Sequence, residues 1–147
     1  MQVIRCFAIV AVAALLHGCG SSYVKPADTG SVAYLSFDAK GDPAMGFAAY
    51  LELRPSGAAS YQRAARIVEG NPILHTDNPD NIPVAANQDL MVKAMYIPAG
   101  VLGQYGCDNE KPLRPEVGKH YKVIVEWKRQ VNCTTTIEEV ASAQVHG

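Results

Sequence analysis

From Ser31 onward, short runs of alternating apolar and polar side chains recur along this chain, separated by clusters of Gly, Pro, Asn and Asp. Alternation with a period of two sends successive side chains to opposite faces of an extended strand. The run Ser31 to Phe37, SVAYLSF, predicts a first strand. Phe47 to Leu53, FAAYLEL, predicts a second, with Phe47, Ala49, Leu51 and Leu53 on one face and Ala48, Tyr50 and Glu52 on the other. A polar turn with Gly41 and Pro43 lies between them, so the two are expected to form a hairpin. The alanine content makes helix the competing reading for the second run.

Arg54 to Ser60, RPSGAAS, is a turn by composition, and a weaker strand is expected from Tyr61 to Val68. Glu69 to Asn87 reads as a long connection whose prolines at 72, 79 and 83 disfavour helix, with a short extended piece at Ile82 to Ala85. Asp89 to Ile97, DLMVKAMYI, is apolar on both faces, which suits a central or covered strand. Gly106 to Lys119 predicts no regular structure. In His120 to Lys128 the residues Tyr121, Val123, Val125 and Trp127 form an apolar face opposite His120, Lys122, Glu126 and Lys128. Arg129 to Asn132 then reads as a connection and Cys133 to Val140 as a threonine-rich closing strand. The spacing predicts an all-β fold, a compact antiparallel β-sandwich of about 6–8 strands over residues 31–141, followed by a polar tail at 142–147. No internal repeat has a fixed period.

The start of the chain obeys a different pattern. One basic residue, Arg5, precedes the apolar run Cys6 to Leu16, CFAIVAVAALL, and His17, Gly18 and Cys19 follow it. This is the form of a secretory leader, and the run is too short for a membrane-spanning helix, which takes roughly 20 residues. Leu16, His17, Gly18 and Cys19 resemble a bacterial lipobox. The resemblance implies a lipoprotein signal peptide at 1–18 that is cleaved ahead of Cys19, and a thiol at Cys19 that carries the membrane lipid. Gly20 after the cysteine implies sorting to the outer membrane in a host with two membranes. Residues 19–30, with small, polar and proline residues, read as a short lipidated tether.

Charge narrows the classes of partner. The chain has a formal net charge of -1, and the leader removes Arg5, so the exported part is slightly more acidic still. A nucleic-acid binder needs a concentrated basic patch, and none is present in the sequence. With Cys6 lost in the leader and Cys19 acylated, Cys107 and Cys133 remain, and in an oxidising compartment they are expected to form a disulfide. Their spacing is not Cys-x-x-Cys, so redox catalysis is not indicated. Asn132 opens an NCT glycosylation pattern, which a bacterial leader makes incidental.

Candidate chemistry is sparse. His75, Asp77 and Asp80 in HTDNPD match neither zinc nor EF-hand spacing and read as a solvated turn, so no metal and no cofactor is expected. No Gly-x-Ser-x-Gly elbow or HExxH helix orders a catalytic residue. Glu138 and Glu139 are neighbours on a strand and point to opposite faces. Tyr61 and Tyr105 fall near turns, where a ring with a polar hydroxyl suits binding. The sequence therefore favours a non-enzymatic cell-envelope lipoprotein with an envelope protein as partner, its contacts made by the Gly70 to Asn87 and Gly100 to Gly118 connections. The alternative is a periplasmic hydrolase of cell-wall or envelope material, which would need two or more of His75, His120, Asp77, Asp80, Asp108 and Glu110 in one cleft.

Overall fold

The computed structural model describes residues 22–41, 46–70, 75–99, 106–128 and 131–141. Eight strands follow one another: β1 (Val32–Lys40), β2 (Phe47–Pro55), β3 (Gln62–Glu69), β4 (Ile82–Ala85), β5 (Leu90–Pro98), β6 (Cys107–Leu113), β7 (His120–Lys128) and β8 (Val131–Val140). They form two packed four-stranded sheets, β4-β1-β7-β8 and β3-β2-β5-β6. The fold is thus an all-β sandwich. Its pairings are antiparallel except one, since β1 runs parallel to β7 with Leu35 opposite Tyr121 and Phe37 opposite Val123.

The alternating runs bury the faces that their pattern marks. Ala49, Leu51 and Leu53 of β2, Val92 and Ala94 of β5, and Val123 and Val125 of β7 have no exposed surface and meet between the sheets. Such burial of apolar area is the main source of stability for a domain of this size. In three places the structure departs from the sequence reading. β1 and β2 do not pair as a hairpin: they lie in different sheets. Cys107–Leu113, expected to be irregular, is β6, an edge strand paired with β5 from Tyr96–Cys107 to Leu90–Leu113. Val131 and Asn132, expected in a connection, belong to β8.

A fourth departure concerns the tether. Ser22 forms a parallel bridge with Arg63, the Tyr23 amide donates to the Arg63 carbonyl at 2.9 Å, and the Val24 amide donates to Gln62 Oε1 at 3.4 Å. Tyr23 packs against the core cluster, and burial pushes its phenol up to about 12. Residues 22–24 are therefore a docked edge segment, with an aromatic side chain as the anchor. Cys19 and Tyr105 lie outside the described residues, as do the leader at 1–18 and the tail at 142–147.

Burial of Tyr23 has a consequence for alkaline stability. A phenol whose folded pKa lies above its unfolded value near 10 favours the folded state fully below pH 10, and that contribution is lost as pH rises through about 12. Unfolding free energy should fall across this window, and Tyr23→Phe should flatten the decline. Denaturant titrations of both proteins from pH 9 to 12 would check this, and identical slopes would remove Tyr23 as the cause.

One cluster joins the two sheets near the end where β1 finishes and β2 begins. Tyr96 of β5 is sandwiched between Phe47 of β2 and Trp127 of β7, with ring centroids 4.8 and 5.7 Å apart. Its hydroxyl end reaches the Cα of Gly41, where an added Cβ would overlap it. With both ring faces covered, Tyr96 has no free direction in which to swing away. Gly41→Ala should therefore cost about 2 kcal/mol, the usual size of an overpacking penalty. A urea midpoint unchanged from the wild type would show that the aromatic stack yields without strain.

The Cys107–Cys133 disulfide closes the same end of the molecule from the side, with Cα atoms 5.8 Å apart. It ties β6, the edge of one sheet, to β8, the edge of the other. Asn109 supports it by donating from Nδ2 to the Cys133 carbonyl at 2.7 Å.

Candidate functional site

The two outward faces of the sandwich differ in chemistry. On the sheet β4-β1-β7-β8, period-two alternation turns out Asp38, Lys122, Thr134, Thr136 and Glu138, with Lys122 and Asp38 ion-paired at 3.0 Å. Tyr34 stacks on His120 there, with centroids 4.9 Å apart. Ile124, opposite Asp38 and Thr136, and Tyr34 are apolar members of this otherwise mostly polar surface.

On the sheet β3-β2-β5-β6 the register aligns four outward rows. Val68, Ala48 and Ile97 form the first, and Arg66, Tyr50, Met95 and Asp108 the second. Arg63, Glu52, Lys93 and Glu110 form the third, and Arg54, Met91 and Pro112 the fourth. The bulge between Leu51 and Glu52 shifts β3 by one residue, which brings Arg63 rather than Ala64 opposite Glu52. The face is therefore a mosaic of aromatic, methionine and arginine side chains with a charged row through it. These are the residue types enriched at protein–protein contacts.

Tyr61 sits over the charged row, delivered by the turn between β2 and β3. The Arg54 guanidinium lies 4.8 Å from its ring centroid and Lys93 Nζ 5.5 Å from it. Lys93 is held by Asp108 at 3.1 Å, and that hydrogen bond raises its pKa above the ordinary lysine value. The Tyr61 hydroxyl is buried without a hydrogen-bond partner of good geometry. Its pKa is raised, chiefly by burial and next by the Glu110 carboxylate it faces, while Arg54 and Lys93 pull the other way. A second cation–π contact places Arg63 4.8 Å from the ring centroid of Tyr50.

Two hollows adjoin this sheet. One, of roughly 420 Å³, opens at the end of β2 and the start of β5, between Arg54, Gly57, Met91, Pro112 and Arg114. The other, of roughly 210 Å³, lies along β3 beneath the docked N-terminal segment and is lined by Lys25, Arg66, Asp77, Asn78 and Asp80. The larger has only Arg54, Asp89 and Arg114 as charged lining, whereas the smaller gathers Lys25, Arg63 and Arg66 with Asp77 and Asp80. Among the described residues, no three His, Cys, Asp or Glu side chains gather as metal ligands would.

Of the six residues named for a hydrolytic cleft, Asp77 and Asp80 share the smaller hollow, whereas Asp108, Glu110 and His120 do not line it. Asp108 and Glu110 are on β6, at the far edge of its sheet from β3. His75, Asp77 and Asp80 lie along the outer edge of β3, where Asp77 pairs with Arg66 through both backbone groups and Arg66 Nε donates to the His75 carbonyl at 2.8 Å. Three strand spacings separate those edges, about 14 Å. His120 stands on the other sheet. The segment from His75 to Asn81 uses its backbone to extend the β3 edge, with Asn78 and Asn81 at positive φ, the conformation asparagine tolerates best after glycine.

Tyr61 is the sequence candidate that the structure places in a built environment. The partners that define it, Arg54, Lys93 and Glu110, were not legible in advance, because each comes from a different strand and the unforeseen β6 supplies the carboxylate. Compared with protein-family models, with curated proteins and with solved structures, the chain matches none.

Proposed function

We propose that this protein is a non-enzymatic cell-envelope lipoprotein, held to a membrane through acylated Cys19, whose outward β3-β2-β5-β6 face contacts an envelope protein. The observation that carries the interaction reading is the asymmetry of the two faces. One is mostly polar, with Ile124 and Tyr34 as its apolar members, whereas the other presents Tyr61, Tyr50, Met91, Met95 and Ile97 among arginines. Tyr61 and Tyr50, each with two side-chain torsions and an arginine already stacked on the ring, lose little conformational freedom on binding. The envelope location rests on the leader pattern and on Leu16 to Cys19, and the inter-sheet disulfide supports export to an oxidising compartment.

Two measurements test the two halves. Mass spectrometry of the chain purified from envelopes should find an N-terminal acylated Cys19, and an intact unmodified leader would overturn the anchor. A photoreactive side chain at Met95 should crosslink a discrete partner in intact envelopes, and the adduct should weaken with Tyr61→Ala. An equivalent probe at Ile124, on the mostly polar face, should not. Adduct formation at Ile124 but not at Met95 would reject the assignment of the face.

A further inference from the structure

The docked N-terminal segment fixes more than its own position. Ser22 and Tyr23 are bonded to Arg63 at the start of β3, so the chain leaves the domain at a defined corner. Cys19 precedes Ser22 by three residues, which can span at most about 10 Å even when fully extended. Strands of nine residues such as β2 and β5 make the sandwich about 30 Å long. A lipid on Cys19 could therefore reach the bilayer only with that corner turned toward it.

The pairing registers show what else lies at this end. The starts of β1, β3, β5 and β7 and the ends of β2, β4, β6 and β8 are all there, while the disulfide and the Phe47–Tyr96–Trp127 stack are at the other. Among the described residues the large hydrophobics with the most exposure are Val24 at 74%, Val117 at 50% and Ile97 at 46%. Val24 belongs to the docked segment and Val117 to the turn between β6 and β7, so two of the three stand at the Ser22 end. They are two separate apolar points on this end, Val24 beside the β3 edge and Val117 after β6 at the opposite edge, with the ion pairs Arg114–Asp89 and Lys119–Glu139 near the second. Opposite charges that pair with one another leave such an end compatible with a phospholipid surface irrespective of its net charge.

We propose that the domain stands on the membrane in one orientation, with Val24 and the Val117 turn seated against phospholipid and the disulfide end pointing away. This rests on acylation of Cys19 as proposed above. Interfacial seating of a few apolar side chains adds to the anchor and restricts rotation about it. The β3-β2-β5-β6 face is then held roughly upright, accessible to a partner from the side rather than pressed onto the bilayer.

The test uses the full acylated chain in phosphatidylcholine vesicles whose acyl chains carry bromine, which quenches nearby tryptophan. In a Trp127→Phe background, which leaves no native tryptophan, single tryptophans are placed by Val24→Trp, Val117→Trp and Ile97→Trp. Emission should fall at positions 24 and 117 and stay unchanged at 97. Inserting a long Gly-Ser segment between Cys19 and Ser22 should reduce the loss at 117. Equal quenching at all three positions, or quenching at 97 alone, in a chain that mass spectrometry shows to be acylated would overturn the orientation and leave the anchor standing. A chain purified from envelopes that mass spectrometry shows to carry no acyl group on Cys19 would overturn both.

Discussion

Replacing both Cys107 and Cys133 with alanine is expected to cost the folded domain about 3.5 kcal/mol, from loop-closure entropy for a separation of 26 residues. That is a large share of the roughly 5–15 kcal/mol by which domains are ordinarily stable. The estimate is set by the unfolded chain, which the bridge confines, rather than by the sulfur contacts. Alanine is the appropriate replacement because Cys133 is 3% exposed, and a serine hydroxyl there would add an unpaired polar group to the core. The Asn109 bond to the Cys133 carbonyl survives the substitution and keeps β6 near β8 in the folded state. The expected outcome is a lower urea midpoint, reproduced in the wild type by reductant. A change below about 1 kcal/mol would mean that the unfolded chain is already compact between these positions.

The reducing agent result also bears on where the protein works. A domain that loses this much stability on reduction would persist poorly in a compartment that keeps thiols reduced. Dependence on the bridge would therefore agree with the proposed export to an oxidising compartment, by an independent physical route.

What could be read from the sequence follows a clear physical division. β2, β5 and β7 were legible to within a residue or two, because their alternation is enforced by one face packing on the other sheet. β6, CDNEKPL, carries no such signal: it is an edge strand with mostly exposed side chains, so neither burial nor pairing on a second side constrains it. Pro112 is tolerated there because an edge strand needs backbone donors on one side only. The supposed β1–β2 hairpin failed for a different reason. Alternation says that a segment is a strand and which face is buried, but not which strand it pairs with, and β1 finds its neighbours in β4 and β7, far along the chain. Tyr23 was read as tether because a lone aromatic in a Gly, Ser and Pro context has no period. Tyr61 was legible as a residue type near a turn, whereas its cationic and carboxylate neighbours depend on the register of three strands.

The other large effect is expected from Leu51→Ala, at about 4 kcal/mol, near the upper part of the range for buried leucine truncation. Leu51 has no exposed surface and lies at the middle of β2. Its cross-strand neighbours on the same face are Ala65 of β3 and Ala94 of β5, both without a side chain able to lean into the space a truncation opens. The leucine fills the room that two alanines leave, and the cavity has no ready means of collapse. Leu53, equally buried, is flanked instead by Gln62 and Val92, whose larger side chains can relax toward it. Leu53→Ala should therefore cost measurably less than Leu51→Ala, although the same atoms are removed. Equilibrium urea unfolding of the two variants decides the matter. Equal losses would show that the opposite sheet, rather than the neighbours within this one, controls how the core responds to a void.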